Sequence, residues 1–172
     1  MWLFMYVCYL LGALTYVLFL FSALQDIFQL VLFGVPRLTF AFLTAIFYLF
    51  TQTLTVFFFV GTSSNIREYL ESQPDTPDGT RLAARARHIR GAVSGHIYLN
   101  ILLFLAQAVL GGAVAARAVP HFLHGATVAI AFLHFHYVLW REHLAFRDIT
   151  GVVVAMTEPS RSDPPADAPP DA

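Results

Sequence analysis

Four long apolar stretches alternate with short breaks rich in glycine, proline or polar residues, and this rhythm sets the fold class before any motif does. Residues 2–24 carry no charge and lead into Gln25, Asp26 and Gln29. Gly34-Val35-Pro36-Arg37 ends that run, as glycine and proline do between helices, and a second stretch follows at 38–60. A third occupies 92–116 and, after Arg117-Ala118-Val119-Pro120, a fourth occupies 121–143. Each matches the about 20 apolar residues that a helix needs to cross bilayer hydrocarbon. The first stretch is read as a retained span and not a signal peptide, because no basic segment precedes it, its apolar run is too long and no small-x-small site follows. Its aromatics Trp2, Phe4, Tyr6 and Tyr9 suit a membrane interface.

The connection between the second and third stretches is itself patterned. Residues 63–72 are amphipathic, 73–79 are rich in breakers, and 80–90 run into the third stretch without interruption. Spans two and three are therefore expected to continue beyond the membrane as a helical hairpin. Glu68 and Glu71 would meet Arg81, Arg85 or Arg87 across it, with a merely solvated charged face as the alternative. After Thr157 the tail EPSRSDPPADAPPDA has no apolar pattern. The expectation is one four-span transmembrane domain over 1–157 and a disordered Pro/Ala/Asp tail over 158–172.

Composition agrees with the pattern. Of 172 residues, 58% are hydrophobic and 12% charged, against roughly 45–50% and about 25% in ordinary soluble domains. The expected partners are the lipid bilayer and other membrane proteins. Nucleic acid is not among them, because a net charge of −1 offers no concentrated positive face for phosphates. A single cysteine, Cys8, excludes an internal disulfide and a cysteine metal cluster.

The basic residues, all arginines, orient the chain. Arg67, Arg81, Arg85, Arg87 and Arg90 lie between spans two and three, and Arg141, Arg147 and Arg161 follow span four, whereas only Arg37 and Arg117 serve the other two connections. The positive-inside bias places both termini and the hairpin in the cytoplasm of a multi-pass protein of the bacterial inner membrane. The fold expected is all-α, a membrane-embedded four-helix bundle.

Equal helical rise allows polar residues to be matched by depth across antiparallel neighbours. Counting from turns near Gly34, Thr76 and Ala118 puts Thr15 or Tyr16, Gln52, Asn100 and His136 at one height, one from each helix. Polar side chains at membrane depth face the bundle interior, so Gln52, Asn100 and His136 are expected to form an interhelical layer. Gly91 and Gly95, spaced as GxxxG, suggest close helix packing.

Five of the seven histidines lie on the fourth stretch. His136 and His143, seven residues apart, share a face to within about 20°, and His96 falls between their levels, whereas His134 points elsewhere. His96, His136 and His143 are thus a candidate site for a metal ion or for haem b, since histidine is the commonest ligand for such groups. Gly91, Ala92, Gly95, Phe132 and Phe135 are available to line a haem slot.

The run VFFFVGTSSNIREYL, followed about fifty residues later by GGAVAARAVPHFLHG, resembles a pattern of small uncharacterised four-span bacterial integral membrane proteins. The resemblance covers spans two to four and implies the four-span fold, with no activity attached. No nucleophile with its base, phosphate loop or carboxylate pair occurs within the spans. No catalytic residue is assigned, and nothing in the spans points to an enzyme over a non-enzymatic membrane protein. The function expected is a structural or accessory membrane component. A redox protein holding haem b or a metal ion is the first alternative, and a small transporter or channel subunit is the second.

Overall fold

The computed structural model describes residues 2–31, 34–74 and 78–157; the expected disordered tail lies outside them. The described residues form four helices, α1 (Trp2–Phe28), α2 (Arg37–Ser72), α3 (Gly79–Ala115) and α4 (His121–Thr157). All four are long and apolar enough to cross a membrane. Helix is what such sequences must form in lipid, where no water is present to satisfy a backbone amide or carbonyl.

The helices pack as a ring in which α1 touches α2 and α4, and α3 touches α2 and α4. Neighbours run antiparallel. Phe4 near the start of α1 stacks on Phe58 of α2 at 5.7 Å, and Thr44 of α2 reaches Leu18 O. Across the other face Thr150 of α4 lies by Met5, whereas Asp26 lies by His124. Phe19 and Phe104, 5.4 Å apart, meet through the middle of the ring.

Each helix turns a stripe of three- and four-residue steps inward. On α1 these are Cys8, Gly12, Thr15, Phe19 and Ser22, and on α2 Thr44, Tyr48, Thr51, Gln52, Thr55 and Phe59. The outer surface is apolar in turn, with Leu3, Leu38, Phe42, Val109, Leu133 and Trp140 exposed. An uncovered apolar surface of this extent has lipid as its natural solvent.

One helix runs past the span read in the sequence, whereas α2 and α3 extend as far as the expected hairpin requires. α4 passes 143 and continues to Thr157, because Ala145, Phe146, Ile149, Val152 and Met156 carry on the buried stripe of Phe135 and Val138. α2 runs unbroken through Gly61 and Thr62 to Ser72, and α3 begins at Gly79. The expected ion pairs across the hairpin do not form among the described residues; Glu71 instead pairs with Arg67 of its own helix at 3.6 Å.

The end of α3 shows how the chain reverses with little glycine. Arg117 N–H bonds Val114 O and Ala118 N–H bonds Ala113 O, the paired closure of a Schellman motif. The left-handed position falls on Arg117 at φ 59°. The glycines that permit close approach are also not those expected. A Cβ on Gly12 would lie 3.4 Å from Leu139, and one on Gly111 3.2 Å from His124, whereas Gly91 and Gly95 face open space.

Candidate functional site

The interior of the bundle is polar at several levels, and one of its groups is a carboxyl. Glu142 is 4% exposed and is the one acidic or basic side chain among the buried residues described. It belongs to the inward stripe of α4, four residues after Val138 and seven after Phe135, so helix periodicity carries it into the core. The Gln52 amide of α2 lies beside it, and the Cys8 thiol of α1 adjoins the Thr55 hydroxyl one turn away.

This group of side chains is short of partners. Glu142 Oε1, both polar atoms of Gln52 and Thr55 Oγ1 are buried without a hydrogen bond, and Glu142 has no ion pair among the described residues. Buried polar atoms are nearly always satisfied, so a cluster of four left open is unusual. At 1.5 Å per residue, the Cys8 and Thr15 levels that bracket it lie about 9 and about 20 Å from Trp2, well within the about 30 Å of hydrocarbon that α1 would cross.

A second tier is fully bonded. Thr15 and Thr51 join α1 to α2 through their hydroxyls at 2.8 Å. The Tyr48 hydroxyl donates to Asn100 Oδ1 at 2.5 Å, and Asn100 Nδ2 donates to Ala131 O at 3.1 Å and lies 2.9 Å from His134 Nδ1. One asparagine therefore ties α2, α3 and α4 together.

A third tier lies at the end of the bundle that holds the α1–α2 and α3–α4 turns. His124 approaches Asp26 at 3.7 Å, and Gln29 bonds both His121 and Arg37. These residues border a cavity of about 500 Å³ that also meets Gln107 and Phe104. Gln107 Oε1 and His124 Nδ1 are buried without partners.

Aromatic packing separates the tiers. Phe19, Tyr48, Phe104 and Phe135 close the core between the cavity and Glu142, and Phe58, Phe59, Phe146 and Ile149 fill it on the far side.

The sequence-derived residues occupy this frame unevenly. Gln52 and Asn100 are both fully buried but lie in different tiers, and the partner of Asn100 on α4 is His134, not His136. His136 stands at the rim with its ring 5.9 Å from Tyr16, and His143 bonds the Tyr9 hydroxyl at 2.9 Å. The rings nearest His96 are His134 and Tyr137. His96 therefore faces α4 from α3, whereas His136 and His143 face α1, and the three do not converge. The reason is rotational: the 136/143 stripe sits one residue, about 100°, from the buried 135/142 stripe. Among the described residues no three His, Cys, Asp or Glu side chains are placed to hold a metal ion.

Sequence reasoning puts Glu142 near the candidate histidines of the fourth stretch but gives it no role of its own. The available signal was that the apolar stripe continues on both sides of it. Compared with protein-family models, curated proteins and solved structures, the chain matches none.

Proposed function

We propose that the chain is a small multi-pass protein of the bacterial inner membrane whose bundle takes up and releases protons at Glu142. In this reading both termini and the α2–α3 hairpin lie in the cytoplasm, as the arginine distribution favours. The observation that carries the proposal is Glu142 itself, a buried carboxyl at membrane depth with no ion pair among the described residues and the Gln52 amide beside it. Ionisable groups in such positions are costly and mark ion or proton pathways.

The surroundings suit a proton better than a larger solute. None of the three cavities described borders Glu142, whereas the Gln52 amide and the Thr55 hydroxyl stand ready to exchange hydrogen bonds with it. The Thr15–Thr51 pair, the Tyr48–Asn100–His134 set and the Asp26–His124 pair supply further polar groups toward the other end. The aromatic layers make passage conditional on side-chain rotation, which is the behaviour of a gated carrier and not of an open pore.

An accessory role without transport would be served by the Tyr48–Asn100–His134 bonds but gives no reason for Glu142. A haem b or metal centre on His96, His136 and His143 is not favoured, since their rings have different neighbours. The reading is tested with purified protein in liposomes that enclose a pH-sensitive dye. After an external pH step, wild-type vesicles should equilibrate faster than empty ones, and Glu142→Gln should return the rate to that of empty vesicles. Equal rates for wild type and variant would reject it.

A further inference from the structure

A second polar site lies apart from the bundle interior. Val60, Ser63, Ser64 and Arg67 of α2 and Ala83, Arg87 and Arg90 of α3 enclose a cleft of about 280 Å³. Three arginines and two serines thus line one cleft between two helices. Arg87 and Arg90 have no ion pair among the described residues. Among the described residues Arg67 pairs with Glu71 alone, at 3.6 Å with both side chains 70% exposed, a contact weak enough to be exchanged. Ser63 is 6% exposed, and its Oγ has no hydrogen-bond partner.

The depth of the cleft bears on what it binds. Phe4 stacks on Phe58, so the first turn of α1 is level with the start of the cleft at Val60, and the rest of the cleft lies beyond it. If α1 crosses the bilayer, the cleft occupies the headgroup layer. Basic pockets between transmembrane helices at that level take lipid phosphates, and arginine binds phosphate oxygens in pairs.

We propose that this cleft is a phosphate-group site, filled by the headgroup of an anionic phospholipid of the adjoining leaflet. Arg87 and Arg90 hold the phosphate, and Arg67 closes over it after leaving Glu71. The site is independent of Glu142 and does not rest on proton exchange there.

The test uses the full chain, extracted in detergent and washed, with retained lipid identified by native mass spectrometry. Wild type should keep phosphatidylglycerol in preference to phosphatidylcholine, and the double substitution Arg87→Gln, Arg90→Gln should lower that retention several-fold. Arg81→Gln, Arg85→Gln removes the same charge outside the cleft and should leave retention unchanged. Equal losses in the two pairs would show diffuse attraction and overturn the site. Equal retention of the two lipids by wild type would overturn it without any variant, so misfolding of the substituted protein does not shield the proposal. If inorganic phosphate raises the melting temperature of the washed protein and displaces the lipid, the site takes free phosphate and the lipid assignment fails.

Discussion

Asn100 Oδ1 accepts a hydrogen bond from the Tyr48 hydroxyl at 2.5 Å while the same amide's nitrogen reaches α4, so a single side chain holds three helices at the centre of the bundle. In membrane proteins one such bond contributes about 0.6 kcal/mol on average and about 1.7 at most. A double-mutant cycle of Tyr48→Phe and Asn100→Leu should give a coupling within that range. The cycle of Gln52→Leu and Asn100→Leu should be additive to within about 0.5 kcal/mol, because the two amides do not bond. Reversal of the two results would mean that Gln52 belongs to the Asn100 tier.

Glu142→Leu separates a functional carboxyl from a structural one. Glu142 Oε1 is without a partner among the described residues, so an apolar side chain of similar size removes an unsatisfied buried oxygen and gives up the contact with the Gln52 amide. Stability against denaturant should stay level or rise by about 1 kcal/mol, with proton flux lost. A fall of several kcal/mol would identify Glu142 as a packing element.

The glycines give a test of packing that does not involve polar groups. Gly91→Leu and Gly95→Leu project into open space and should change stability by no more than about 0.5 kcal/mol. Gly111→Leu meets the His124 ring and should cost about 1–3 kcal/mol. Thermal denaturation of the three variants in one detergent decides the point, and a large loss at Gly95 would show that its face is covered.

How much of this could be read in the sequence depends on what each inference used. Apolar run length alone located four spans, since a helix in lipid needs only length and hydrophobicity. Depth matching found that Gln52 and Asn100 are interior but could not assign their partners, because partner choice depends on helix rotation. The 136/143 stripe and the 135/142 stripe share the same seven-residue spacing, and only packing against α1 and α3 shows that the second faces inward. Glu142 lies between Arg141 and the exposed His143, and its inward direction follows only from the rotation that buries the 135/142 stripe. Likewise GxxxG marked Gly91 and Gly95, although the close contacts fall to Gly12 and Gly111, which have no such motif.

The proposed topology rests on the arginine distribution. A reporter inserted at Asp78 should read as cytoplasmic and one at Gly34 as periplasmic. Both sites lie between helices, Asp78 just before α3 and Gly34 between α1 and α2, so insertion leaves the spans intact. The opposite pair of signals would invert the protein and place the arginine cleft in the outer leaflet.

The central claim is that Glu142 exchanges its proton with water despite its burial. Infrared difference spectroscopy of the protein in lipid, taken while the pH is stepped, observes this directly. The account predicts a protonated-carboxyl carbonyl band whose intensity follows pH and which disappears in Glu142→Gln. A spectrum without such a band, or one whose pH-dependent bands persist unchanged in Glu142→Gln, would contradict it.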